Sequence, residues 1–139
     1  MTHLPKLSLP LLLTRLSIFA FLLPWQLMRF SKPEAAKGVA TKYYKTGGLP
    51  DVAFTVIAVF MMALLIAFLL GFKKRISYGL VFLLHAVGTA FTIPYLIPNT
   101  EKFNILFMAA IPTIMAMFLL YRLRESDTIS LDSFLAKGK

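Results

Sequence analysis

Four stretches of this chain, residues 8–30, 52–72, 76–97 and 103–123, are long runs of apolar side chains with almost no charge inside them. A backbone surrounded by hydrocarbon has no water to bond, so each N–H and C=O must find its partner within the segment, and a helix is the simple solution. About 20 residues in a helix cross a hydrocarbon core of about 30 Å, and each stretch reaches that length. The expected fold is therefore all-α. It is a polytopic membrane four-helix bundle, a single transmembrane domain over residues 1–139.

Composition agrees with that reading. Hydrophobic residues make up 58% of the chain and charged residues 15%, whereas a soluble domain carries about 25% charged residues. The first stretch is too long for a cleaved signal peptide. Trp25, Gln26 and Arg29 stand where small cleavage-site residues would be needed, so a retained signal anchor is expected, loosened at Pro24.

The connections differ in kind. Gly71-Phe72-Lys73-Lys74-Arg75 is a tight basic turn that makes the second and third spans antiparallel neighbours, and residues 98–102 join the third to the fourth. The first connection is longer. Ser31 with Glu34 has the spacing of a capping box, Pro33 suits a first helical turn, and Gly47-Gly48 suits a stop. Between them, residues 32–46 place Ala36, Val39, Ala40 and Tyr43 on one face and Lys32, Lys42 and Lys45 off it. That pattern predicts a short interfacial helix lying on the membrane surface. Residues 124–139 are expected to be a cytoplasmic tail. Trp25, Tyr95 and Tyr121, near span ends, are expected to be interfacial anchors.

The net charge is +9. Its Lys and Arg residues are scattered between apolar blocks and not gathered on one polar face, which points to anionic headgroups and away from nucleic acid. With the N-terminus inside, the inner segments hold nine of them (Lys6, Arg15, Lys73, Lys74, Arg75, Arg122, Arg124, Lys137, Lys139). The outer segments hold six (Arg29, Lys32, Lys37, Lys42, Lys45, Lys102). The positive-inside rule then places both termini in the cytoplasm. The absence of cysteine excludes thiolate nucleophiles, iron–sulfur ligation and the thiol–quinone chemistry of the vitamin K epoxide reductase kind.

Few residues within the spans carry chemistry. Arg15 and His85 are expected at matched depth below the same face, where they would line a quinone or lipid-headgroup pocket. Charged groups inside membranes are costly and mark functional sites. Every acid (Glu34, Asp51, Glu101, Glu125, Asp127, Asp132) falls at a span end or in a loop. Arg15 is therefore expected to snorkel, bind carbonyls, or meet a partner's acid or a bound headgroup. A carboxylate of this same chain beside it at depth would point instead to a self-contained centre. His85 is expected as a neutral imidazole bonded to a hydroxyl such as Thr89. Haem is not expected, since the only second histidine is His3, and no metal site or cofactor held by this chain alone is expected. Gln26, Arg29 and Asp51 form an expected outer-face polar cluster, with Arg29 pairing Asp51. Gly79, Ala86, Gly88 and Ala90 would let another helix approach the third span closely.

Other four-helix membrane families fit less well. The first span lacks the mid-helix acid of small multidrug transporters, and the Arg, Asn and Glu set of membrane glutathione transferases is missing. The order of several motifs resembles the DoxX-like family of small bacterial membrane proteins. They are TRLSIFAFLL, the PWQLMRFSKPE stretch leading into a surface helix and a tyrosine pair, LLGFKKR, FLLHAVGT and the closing FNILFMAAIPTIMAMFLLYRLRESDTISL, together covering roughly residues 10–132. The resemblance implies a multi-pass protein of the bacterial inner membrane with both termini inside. Relatives are membrane subunits associated with thiosulfate:quinone oxidation, with oxidative-stress complexes or with assembly of other membrane proteins. Many carry a Glu in the middle of the second span, where this chain has Val59-Phe60-Met61-Met62-Ala63.

The expected function is a non-catalytic membrane subunit or assembly factor packing against a larger, respiratory or redox, membrane complex, with lipid and other membrane subunits as partners. The alternative is a quinone- or lipid-binding subunit of a DoxX-type oxidoreductase. Transport of a small solute is the least supported.

Overall fold

The computed structural model describes residues 6–46 and 48–138, and all its regular elements are helices. The α-helices are α1 (Ser8–Ser31), α2 (Pro33–Tyr44), α3 (Asp51–Leu70), α4 (Lys74–Phe91), α5 (Ala110–Arg122) and α6 (Leu131–Lys137). Short 3₁₀ turns at Ile93–Tyr95, Ile105–Ala109 and Arg124–Ser126 flank them. Three segments, Ser8–Ser31, Asp51–Leu70 and Ile105–Arg122, are long and apolar enough to cross a membrane. The fourth long helix, α4, is more polar, because Lys74, Arg75, Ser77, Tyr78 and His85 all lie within its 18 residues.

The boundaries show where backbone chemistry overrides hydropathy. The apolar run 76–97 does not continue as one helix, since α4 ends at Phe91. Pro94 cannot donate the next helical hydrogen bond, and the chain tightens into a 3₁₀ turn at Ile93–Tyr95. The run 103–123 begins with extended Asn104, whose side chain accepts from the Leu106 N–H, then a 3₁₀ turn, and becomes α-helical only at Ala110. Pro112 sits in the first turn of α5, where its missing N–H does no harm. By contrast, α1 passes through Pro24 without a break.

The α2 helix starts on Pro33, as its sequence implies, but the capping box does not form. The Ser31 hydroxyl donates back to the Leu27 carbonyl at 3.0 Å, and the N-cap position is Lys32. The stop is made by Lys45 in the left-handed region (φ 55°). Gly47, half of the expected stop, lies outside the described residues. Ala36, Val39, Ala40 and Tyr43 are half-buried on the inner face, and Lys32, Lys42 and Lys45 are exposed.

α1 packs on α3, α3 on α4, α4 on α5 and α5 on α1, with α2 lying against α1 and α4. The buried apolar cluster comprises Leu11 and Ile18 of α1, Leu64, Leu65 and Phe68 of α3, Tyr78 and Val81 of α4, and Met117 and Leu120 of α5. All nine lie in the half of their helix nearer the chain termini. The segment expected as a cytoplasmic tail is folded against the helices. Residues 124–137 turn back across that end as a 3₁₀ turn and α6, with Asp127 fully buried.

Candidate functional site

Arg15 lies seven residues past Ser8 in α1, about 10 Å along the helix. It faces inward on the Leu11–Arg15–Ile18 stripe that builds the core. Tyr78 reaches it from α4, four residues in from Lys74. Nη1 of Arg15 donates to Asp127 Oδ2 at 2.7 Å and to the Tyr78 hydroxyl at 2.8 Å, and Nη2 donates to the Ile129 carbonyl at 2.6 Å. The Tyr78 hydroxyl donates in turn to Asp127 Oδ2 at 2.5 Å. A hydroxyl that accepts from the guanidinium and gives its proton to the carboxylate is the arrangement an ionised pair requires.

This overturns the expectation that Arg15 has no negative partner in its own chain. The acids lie at span ends and in loops along the sequence, but Asp127 does not stay there. The 3₁₀ turn Arg124–Ser126 carries it back into the helix ends. Position along the sequence does not fix depth in the fold. A signal was present in the tail: Leu131, Phe134 and Leu135 have helical spacing, and Ser130 precedes them as an N-cap. The Ser130 hydroxyl accepts from the Ser133 N–H at 3.3 Å and caps α6.

The rest of the returning segment is held as firmly. The Lys74 ammonium donates to the Arg124 and Asp127 carbonyls at 2.8 and 2.9 Å. The Asp132 carboxylate accepts from the backbone N–H groups of Lys73 and Lys74 at 2.7 and 2.9 Å, and its own N–H donates to the Gly71 carbonyl at 3.2 Å. The first turn of α4 is basic and has no side-chain cap of its own. Two cations at a helix N-terminus oppose the helix dipole, and Asp132 offsets them from 58 residues away.

Gly71 makes the approach possible. Its φ of 67° is left-handed, and a Cβ there would stand 2.5 Å from Ser130 Cβ, 2.9 Å from Arg15 Nη1 and 3.1 Å from the Tyr78 hydroxyl. The site is sealed: Asp127, Tyr78 and Arg15 are 0%, 1% and 3% exposed. Neither of the two best-formed surface clefts is lined by any of the three. Two atoms of the ion pair, Arg15 Nε and Asp127 Oδ1, have no partner among the described residues.

His85 does not share this site. Its ring meets Phe21 edge to face, with centroids 6.2 Å apart. Phe21 is six residues beyond Arg15, and His85 is seven beyond Tyr78, so α1 and α4 run in the same direction. His85 therefore sits about 10 Å along α4 from the ion pair. The Thr89 hydroxyl bonds the His85 backbone carbonyl at 2.8 Å and not the imidazole, whose Nε2 is buried without a partner among the described residues. His3 lies outside the described residues.

The outer polar cluster is rearranged. Asp51 pairs with Lys37 at 2.6 Å, and Lys37 also meets Glu34 at 3.2 Å, so the expected Arg29–Asp51 pair is replaced by a tether from α2 to α3. Those bonds raise the Lys37 pKa above 10.5, the bond to Asp51 most strongly. Arg29 is instead near Tyr44, whose phenol burial raises above its ordinary value while the Arg29 charge opposes the rise. Gln26 is 6% exposed with Oε1 unpartnered among the described residues. Of the small residues on α4, Gly79 receives the Tyr121 ring of α5 and Gly88 faces Tyr44 of α2. Ala86 is half-buried, and Ala90 is exposed. Two of these four positions thus serve packing within the chain.

Of the expected anchors, Trp25 is half-exposed and Tyr121 lies under the Arg124 guanidinium, 4.6 Å from the ring centroid. Tyr95 instead joins Tyr43 and Phe107 in a cluster with centroids 5.1 to 5.5 Å apart. Beside that cluster opens a cleft of about 720 Å³, lined in part by Lys42, Glu101 and Lys102.

No family model, curated protein or solved structure matches the chain, so what it shows of itself is a helical protein with three helices fit to cross a membrane.

Proposed function

We propose that this chain is a four-helix integral membrane protein that works by packing, as a non-catalytic subunit or assembly factor of a larger membrane complex. The DoxX-like resemblance, with a bacterial inner membrane and cytoplasmic termini, belongs to this proposal and rests on the sequence motifs alone. One observation carries the reading. The buried ion pair that would otherwise suggest a reaction centre closes the fold by joining α1, α4 and the C-terminal segment, and its three side chains are sealed from the surroundings.

A carboxylate of this chain does accompany Arg15, so the guanidinium needs no partner's acid. The packing reading now rests on the apolar surface that remains. Val52, Val56, Val59 and Phe60 of α3 are 74%, 62%, 56% and 53% exposed, a face suited to lipid or another helix. Affinity purification of the tagged protein in mild detergent at native expression tests the proposal. Co-purification of a defined set of membrane subunits supports it, and recovery only as a free monomer overturns it.

A second reading is favoured by the orphaned His85 Nε2 and Gln26 Oε1. Buried polar atoms normally have partners, and a quinone or lipid headgroup held between α1 and α4 would supply them, with Arg15 no longer part of that pocket. Organic extraction of the purified protein tests it: quinone or lipid retained by the native chain and lost in His85→Ala supports this reading, and equal retention removes His85 from it.

A further inference from the structure

We infer that residues 124–137 are a clasp, which satisfies two cations buried earlier in the chain and protects the inserted protein from membrane proteolysis. The inference rests on the reading of α1 as a membrane-crossing helix. The buried polar and charged side chains among the described residues are Arg15, Gln26, Lys74, Ser77, Thr92 and Asp127. Two of these are cations and one is an anion, and the anion comes last. Asp127 follows Arg15 by 112 residues.

The dependence is wider than one ion pair. Arg15 donates to Tyr78, Asp127 and the Ile129 carbonyl, and Lys74 donates to the Arg124 and Asp127 carbonyls. Apart from the Tyr78 hydroxyl, every acceptor that these two side chains use belongs to residues 124–129. A chain that stops after α5 therefore strands both cations together. An unpaired Arg inside a membrane helix is costly, and a charge that has lost its buried partner is strongly destabilising. The defect is also reciprocal, because the same segment brings Asp132 to cap the basic first turn of α4. A segment that satisfies Arg15, Lys74 and the α4 terminus at once docks as a unit or not at all. A chain in which the clasp has not docked would then differ from a docked one by a polar defect at one end, which membrane proteolysis can act on.

Pulse-chase measurement of half-life in the native membrane, with alkaline carbonate washing of each sample, tests the clasp. The variants are the full chain, a chain ending at Leu123, and that shortened chain with Arg15→Leu and Lys74→Leu. The shortened chain is expected to be cleared about fivefold faster or more, because losses of this size change cellular abundance severalfold. The apolar double replacement is expected to recover to within about twofold of the full chain, because exchanging buried charges for apolar groups is often neutral. Equal half-lives of the full and shortened chains would overturn the clasp. So would a double replacement cleared as fast as the shortened chain, since the segment would then act through packing and not through charge. Release of the full chain by carbonate would instead overturn the membrane reading, whatever the half-lives.

Discussion

At the end of the helices that holds both termini, apolar side chains from α1, α3, α4 and α5 interlock over a carboxylate and a guanidinium paired with each other. At the opposite end the same helices splay into loops, and Gln26 Oε1 is buried without a partner among the described residues. There Val52, Ile105 and Leu106 are 74%, 71% and 80% exposed. The difference follows from what each end has to cover it. The terminal end is crossed by residues 124–137, which bring an anion, carbonyl acceptors and a helix cap. The loop end is crossed by α2, whose inner face offers Ala36, Val39, Ala40, Tyr43 and Tyr44, and whose ion pairs lie on its exposed side. One end is closed by the returning segment, and the other leaves apolar side chains exposed.

The largest expected effect breaks the closed end. Asp127→Ala leaves Arg15 buried without its anion and should lower stability by about 3–5 kcal/mol. Thermal unfolding in detergent, followed by loss of helical circular dichroism, reads it. Arg15→Leu combined with Asp127→Leu should recover most of that loss, and a double variant as unstable as the single one would show that the pair is not the source.

Next in size is Gly71→Ala. A left-handed backbone at a non-glycine residue costs about 1–2 kcal/mol, and the added Cβ collides with Ser130. Gly38→Ala is the matched control in α2, with nothing within 4 Å of the new methyl. It should stabilise by about 1 kcal/mol through helix propensity. If both substitutions move the unfolding temperature alike, the two ends do not differ in the way described.

Asp132→Ala should cost about 1 kcal/mol by removing the cap of α4. Its signature is faster amide hydrogen exchange at Lys73 and Lys74 with little change at Asp51.

The smallest effect is at the loop end. Lys37 has a raised pKa in the folded chain, so its tether to Asp51 is fully present below about pH 10.5 and is lost as pH rises through the raised value. Asp51→Asn should leave the unfolding temperature at neutral pH essentially unchanged, as exposed pairs do. A drop comparable to that of Asp132→Ala would show that the loop end is held more tightly than its exposure suggests.

Much of the architecture was legible in the residues. The apolar runs announced the long helices, Pro33 announced the start of α2, and Ala36, Val39, Ala40 and Tyr43 announced its inner face. The ends of the runs were less legible, because hydropathy does not register that Pro94 ends a helix or that residues 105–109 tighten into a 3₁₀ turn. Arg15 was legible as a residue needing an explanation. Its partner was not, because Asp127 was judged by its distance from the apolar runs and not by where a returning chain could carry it.

The sequence by itself determined that this chain is helical and rich in long apolar segments, four by hydropathy of which three fold as helices fit to cross a membrane, because those properties depend on local hydrogen bonding and on side chains a few residues apart. Only the tertiary structure decided that Arg15 pairs with Asp127 and bonds Tyr78, and that His85 stands apart from them. Pairing at such separations depends on how the segments between them turn and pack, and a linear pattern does not contain that geometry.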